Sequence, residues 1–162
     1  MNIFVVHRNP VISAQSLADT HVVKMILETA QMLSTVLQAY GVPTTYKATH
    51  AHHPCTVWAS KSAQNYAWLL KHGLALCDEY THRYKRTHKT EALLRGELHA
   101  LPPGIPVIGR TEFAQAMPEE YRNEDVVIAY RTYYINAKAS IAKWTNRDAP
   151  AWFEYKLPEL NT

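Results

Sequence analysis

Residues 21–37, HVVKMILETAQMLSTVL, decide the fold class. On a helical wheel of about 100° per residue, His21, Lys24, Glu28, Gln31 and Thr35 fall within a sector of roughly 80°. Val22, Val23, Met25, Ile26, Leu27, Ala30, Met32, Leu33, Val36 and Leu37 surround most of the rest. A peripheral helix shows a broad solvated face. A helix that is apolar on most sides, with one thin polar strip, is central and turns that strip toward a cleft. The competing reading makes Lys24 and Glu28 a solvent-facing i,i+4 pair of modest value.

Turn signals set the limits of this helix and divide the chain into four helical segments. A strand-like run, Ile3 to Val6, ends at Asn9-Pro10, and helix one then runs from about Ser13 to about Tyr40, where Gly41-Val42-Pro43 stops it. Helix two extends from about Ser60 to about Lys85, with Tyr66, Leu70, Leu74 and Cys77 on an apolar face. A shorter helix from about Thr90 to Leu98 meets Leu101-Pro102-Pro103-Gly104-Ile105-Pro106, and an ordered Pro-rich loop continues to Met117. Pro118-Glu119-Glu120 reads as a helix start, with Pro at the first position and acids favoured by the dipole. The last helix spans roughly Glu124 to Trp144, and Pro150-Ala151-Trp152-Phe153 folds back on the core. These elements predict an all-α architecture in one compact domain over residues 1–162.

Composition agrees with a globular chain. Of 162 residues, 47% are hydrophobic and 19% charged, and no stretch reaches the roughly 18 apolar residues of a membrane span. The N-terminus lacks a basic leader and a small-residue cleavage site, so the cytoplasm is the expected compartment. Cys55 and Cys77 have no CxxC pairing and read as small buried hydrophobes. The net charge of +3 and pI near 8.8 suit a polyanionic partner but fall far short of a nucleic-acid coat protein.

Polar residues recur on the other helices. Asn65, His72, Glu79 and Arg83 lie within about 40° of one another on helix two. If the two stripes face each other, Glu28 and Glu79 form a carboxylate pair, the usual material for separating acid and base roles. A surface salt-bridge network between antiparallel helices is the alternative. Arg131, Tyr134 and Lys138 share one face of the last helix at i, i+3 and i+7, suited to phosphate. The run Tyr80 to Lys89 interleaves cations with aromatics, as phosphate-tracking surfaces do, or is a solvated helix end.

His50, His52 and His53 invite a metal, but the i,i+4 histidines with an intervening Glu of the helical zinc signature are absent, so neither metal nor cofactor is assigned. Neither GxGxxG nor a Walker motif occurs, which argues against dinucleotide and P-loop chemistry. No serine nucleophile elbow is present.

At Leu17-Ala18-Asp19-Thr20-His21, with Glu28 seven residues after the histidine, the sequence resembles the pyrimidine-dimer DNA glycosylase family of the phage endonuclease V type. His53-Pro54, Met117-Pro118-Glu119-Glu120-Tyr121-Arg122 and Pro150-Ala151-Trp152-Phe153-Glu154-Tyr155 follow in family order. Asn65-Tyr66 and Glu79-Tyr80 with Arg83 resemble the second helix of bacterial and phage relatives.

The resemblance implies an all-α domain that bends DNA, flips out a nucleotide and attacks the sugar with an N-terminal α-amine, forming a Schiff base. Glu28 is then the catalytic carboxylate, His21 its neighbour and Met1 the source of the amine. As a class, α-amines lose their proton nearer neutrality than lysine amines. The family's amine belongs to a threonine exposed by removal of methionine, whereas here the bulky Asn2 opposes removal of Met1.

Lys24, Gln31, His53, Asn65, His72, Glu79, Arg83, Arg131 and Lys138 complete the expected substrate-contacting set. Leu27 and Gln31 stand where the family's arginines flank its glutamate, which leaves the damaged or modified base undefined. The expected partner is DNA or a nucleotide. An enzyme of another class acting on a nucleotide or hypermodified base is one alternative. The other is a non-enzymatic DNA-binding module, whose salt-dependent affinity survives Glu28→Gln.

Overall fold

A computed structural model describes residues 1–154. Its α-helices are α1 (Pro10–Ser16), α2 (Asp19–Ala39), α3 (Pro54–Ser60), α4 (Ala63–Tyr84), α5 (Glu91–Arg95), α6 (Val126–Ala137) and α7 (Ala151–Glu154). Short 3₁₀ turns cover Glu119–Tyr121 and Ala139–Ile141. No strand occurs among the described residues, so the architecture is all-α. No helix among them is long and apolar enough to cross a membrane. Of the quoted C-terminal motif, Tyr155 lies outside the described residues.

Both long helices are shorter than the sequence suggests, and each follows a separate short one. Asn9 caps α1, its side-chain oxygen accepting the Val11 and Ile12 amides at 2.9 and 3.2 Å, with Pro10 in the first turn. Leu17 and Ala18 then become extended. The Ala18 amide donates to the Tyr134 hydroxyl at 2.8 Å, and the Asp19 amide to the Lys143 carbonyl at 2.8 Å. Distant parts of the chain thus satisfy backbone groups that a continuous helix would satisfy internally.

Between α3 and α4, Ser62 accepts the Asn65 amide at 3.0 Å and starts the new helix. The expected third helix shrinks to α5, where Gly96 follows Arg95. The expected last helix is α6, capped by Asp125 and followed by a 3₁₀ turn. Pro118 precedes a 3₁₀ turn rather than an α-helix.

The core lies between α2 and α4, with α1, α3 and α6 around it. Val22, Ile26, Ala30, Leu33, Tyr66, Leu69, Leu76, Ala129 and Tyr130 are fully buried. The two long helices run antiparallel, with Asp19 beside Arg83 and Thr29 beside Gly73. Gly73 permits the closest approach: a Cβ there would sit 2.8 Å from Thr29 Cγ2 and 3.4 Å from a Leu94 methyl. The β-branched Thr29 cannot withdraw that methyl without leaving its rotamer.

Gly73→Ala should therefore destabilise the protein by about 1–2 kcal/mol, overpacking outweighing the helix propensity gained. In a Thr29→Ser background the methyl is gone and the same change should become neutral or stabilising. Denaturant unfolding of the four proteins in this cycle checks it, and equal effects in both backgrounds refute the close-contact account.

Candidate active site

Ile3, Phe4, Val5 and Val6 are apolar and almost completely buried, yet the expected strand does not form. Asn2 folds the segment. Its side-chain oxygen accepts the amides of Ile3 at 2.7 Å and Phe4 at 3.2 Å, while its Nδ2 donates to the Ala116 carbonyl at 2.8 Å. Phe4 then adopts φ 55°, the left-handed region, which costs a bulky residue on the order of 1–3 kcal/mol. Its surroundings hold it there. The ring stacks 4.1 Å from that of His21 and meets the edges of Tyr130 and Tyr134, and the Phe4 carbonyl accepts from the Ser13 hydroxyl at 3.2 Å. Arg131 Nε donates to the Val6 carbonyl at 2.9 Å and fixes the other end.

This turn brings the Met1 α-amine to 3.2 Å from Glu28 Oε1, beneath side chains that are 3% and 13% exposed. Glu28 Oε2 is buried and has no hydrogen-bond partner among the described residues. A buried carboxylate oxygen without a donor is costly and marks a position where chemistry can use it.

His53 caps α3, its Nδ1 accepting the Cys55 amide at 3.1 Å, so the ring proton resides on Nε2. Burial pushes the His53 pKa down, as do the charges of the α-amine and His50. Glu28 and a bond to the Met1 carbonyl oppose them. Met1, Glu28 and His53 are therefore one cluster. Beneath it, burial pushes the Cys55 thiol up to about 12, leaving it an inert hydrophobe.

His21 lies in the first turns of α2, on the far side of Phe4. The Tyr134 hydroxyl accepts from the Ala18 amide and donates to His21 Nδ1 at 2.9 Å, again leaving the proton on Nε2. Burial lowers the His21 pKa to about 4, helped by the positive charges of Lys138 and Lys24. The ring is neutral near pH 7.

Lys24 is exposed and Gln31 half-buried on the same helix. Two grooves of about 510 Å³ share Lys24 and Val23. One is also lined by Thr20, Tyr84 and Lys143, the other by Leu27, Tyr46 and Lys89. Lys138 Nζ lies 5.2 Å from the Tyr133 ring centroid, and the Arg131 guanidinium 5.5 Å from that of Trp152. The α6 face read from Arg131, Tyr134 and Lys138 thus meets the N-terminal segment and its aromatic surroundings.

The polar stripe of α4 forms internal bonds more than it faces α2. Asn65, His72, Glu79 and Arg83 are buried and bonded within the protein, and Glu79 also lines a groove of about 470 Å³ with Gln15, Lys71 and Arg147. Asn65 Nδ2 donates to the Trp58 carbonyl and the Thr111 hydroxyl, both at 2.8 Å. His72 Nδ1 donates to the Pro10 carbonyl at 3.1 Å and the ring stacks on Trp68. Burial lowers its pKa to about 4, against the pull of the Pro10 and Ile3 carbonyls.

Arg83 bonds Glu79 and Asp19, each at 2.9 Å, and the Gln15 carbonyl at 3.1 Å. Arg147 completes the network with bonds of 2.8 and 2.7 Å to Glu79. Burial raises both carboxylates, but donors outweigh it and leave them below their ordinary values: Thr145 and Arg83 at Asp19, Arg147 and Arg83 at Glu79. The Glu28–Glu79 pair does not form, because each carboxylate has its own cation elsewhere.

Within the Tyr80–Lys89 run, Tyr80 packs against Tyr84 and His88 while Lys85, Arg86 and Lys89 remain exposed. No three histidine, cysteine or acidic side chains among the described residues are grouped to hold a metal ion. Sequence reasoning missed Phe4, Thr145 and Arg147 and gave no structural role to Asn2 or to Asp19 of the quoted motif. Only Asn2, a turn-forming residue at the head of an apolar run, carried a local signal.

Residues 1–92 match the family model for pyrimidine dimer DNA glycosylase. That stretch is more than half of the 162-residue chain, and the protein belongs to this family. The match includes Met1, His21, Glu28 and His53, and ends within α5. No curated protein and no solved structure matches the chain.

Because His21 and His72 are held neutral in the fold, the unfolded chain binds protons more readily than the native one as acid is added. Their stabilising contribution is complete above the unfolded value of 6.5 and is lost as pH falls toward the folded value of about 4. Each ring accounts for a loss on the order of 3 kcal/mol across that window. Denaturant midpoints at pH 7, 5.5 and 4.5 should fall in that order, whereas a constant midpoint contradicts the assignment.

Proposed function

We propose, from membership in the pyrimidine dimer DNA glycosylase family, that this protein removes a damaged or modified pyrimidine from DNA by amine chemistry, with the Met1 α-amine as nucleophile. The observation that carries the reading is the 3.2 Å approach of that amine to Glu28 Oε1, beside an unpartnered Oε2. Neither group forms another ion pair among the described residues.

Glu28 takes a proton from the ammonium, freeing the nitrogen lone pair. The amine attacks C1′ of the flipped nucleotide. A C1′–amine bond forms as the glycosidic bond breaks, and the base departs with the electron pair and acquires a proton. The second amine proton is then lost, and O4′ separates from C1′ with its electron pair and is protonated, Glu28 returning the proton it holds. The result is a Schiff base. Removal of a C2′ proton expels the 3′ phosphate, which is the lyase step. Throughout, the positive charge developing at C1′ faces the Glu28 carboxylate.

His53 holds the first peptide through the Met1 carbonyl. His21, kept neutral by burial, braces Phe4 and the turn behind it. Lys24, Gln31, Arg131 and Lys138 are the candidates for contact with DNA. No metal and no cofactor is required by this sequence of steps.

Incubation with abasic-site DNA and borohydride tests the reading, since borohydride reduces the imine to a stable amine. The protein, its N-terminus at Met1 verified by intact mass, should form a covalent adduct that maps to the N-terminal peptide. Acetylation of the α-amine should abolish the adduct, and Glu28→Gln should slow its formation by about 10²- to 10⁴-fold. An adduct on a lysine, or a Glu28→Gln rate within threefold of the original, would falsify the assignment. Base release without any adduct would instead indicate a hydrolytic glycosylase in which Glu28 activates water.

A further inference from the structure

The most exposed large apolar residues described are adjacent: Val107 is 75% and Ile108 69% exposed. They form the tip of the loop between α5 and α6. Groups on α3 and α4 hold this tip in place. The Ala63 amide donates to the Pro106 carbonyl at 2.8 Å, and the Gly109 amide to Gln64 Oε1 at 3.0 Å. The Thr111 amide donates to Asn65 Oδ1 at 2.9 Å, and Trp58 Nε1 to the Thr111 carbonyl at 3.2 Å. Gly109 has φ 90°, a conformation that side chains disfavour, and it turns the chain back toward α4. A fully buried asparagine is therefore committed to fixing a loop whose tip presents two β-branched side chains to water.

Water is a poor partner for such a tip, and the surrounding charge indicates a better one. Lys61, two residues before Ala63, and Arg110, two residues after Ile108, are exposed and form no ion pair among the described residues. Arg110 lies over the Phe113 ring at 4.5 Å, which limits where its charge can go. A stiff apolar point with a cation on each neighbouring segment, neither in an ion pair among the described residues, matches a nucleic-acid duplex, whose stacked bases lie between two phosphate lines.

The loop also belongs to the site. One end docks on α3 and α4 beside Trp58, and His53, the cap of α3, lies about 7.5 Å away along the helix axis. Its other end supplies the Ala116 carbonyl that holds Asn2.

We propose that Val107 and Ile108 are a wedge that enters the base stack of duplex DNA near the damaged nucleotide, with Lys61 and Arg110 gripping the flanking phosphates. The inference rests on the DNA-directed reading above. Wedging unstacks a step, lowers the cost of flipping a nearby nucleotide and matters only where a stack exists.

The decisive comparison is V107S/I108S against the original protein on one abasic-site oligonucleotide, single-stranded and in duplex. Both positions are exposed, and matched thermal unfolding verifies that the fold is kept. Borohydride trapping on the single strand should be unchanged within twofold, whereas trapping on the duplex should fall at least tenfold. With 2-aminopurine beside the lesion, the original protein should raise fluorescence on binding duplex and the variant should not. Lys61→Ala should lower the slope of log affinity against log salt by about one.

Equal trapping of both proteins on duplex overturns the wedge, as does an equal loss on both substrates. Concentration-dependent self-association of the original protein that the variant abolishes assigns the tip to a second copy and also overturns it. Failure of the original protein to trap abasic DNA at all defeats the amine reading instead, and the fluorescence measurement still decides the wedge.

Discussion

A guanidinium taken out of water needs opposite charge and acceptors for its N–H groups, and Arg83 finds them on three helices at once. Glu79 comes from its own helix, Asp19 from the start of α2, and a carbonyl from the end of α1. Arg147 and Thr145 then close the remaining sides of the two carboxylates. Removing Arg83 would leave Asp19 without a cation, so the guanidinium is the member on which the geometry turns. With α2 held at its first residue, Glu28 lies nine residues further on, about 13.5 Å along the helix.

The N-terminal segment depends on that placement. It packs against α2 and α6, and side chains from across the fold bond to it: Asn2 to Ala116, Ser13 to Phe4 and Val6, Arg131 to Val6. The strained Phe4 is tolerated because His21, Tyr130 and Tyr134 leave its ring no other space. Strain held against a packed wall aims the amine more firmly than a relaxed extended segment would, and positioning is a major part of what an enzyme contributes to an amine attack.

The sequence made some of this legible. The narrow strip on α2 put His21 and Glu28 on one face, and the family resemblance singled out those two; in the fold Lys24 is exposed and Glu28 and Gln31 are partly exposed, while His21 and Thr35 at the two ends of the strip are buried. The strip on α4 left a cleft and a salt-bridge network both open for a plain reason. Polar residues on a wheel look the same whether they face water or buried partners. The i,i+4 pair Glu79–Arg83 is visible in the helix itself, but the further partners of Asn65, His72, Glu79 and Arg83 are Thr111, Pro10, Arg147 and Asp19, which the helix does not foretell. The break at Leu17-Ala18 has no glycine or proline to announce it, because Tyr134 and Lys143 make it affordable from more than a hundred residues away. Nor does any local signal foretell a left-handed phenylalanine.

That same break has a bearing on how the protein is made. The peptide groups that open α2, and the carboxylate of Asp19, are completed only by residues 134 and 143–145. During synthesis the family-matching portion leaves the ribosome first, with its central helix unfinished at the end that sets the register of Glu28. The family-matching half therefore consolidates last although it is translated first, and contacts of such long sequence separation are slow to close. A nascent chain stalled before residue 143 carries the whole proposed site in its sequence and lacks the lock that would assemble it.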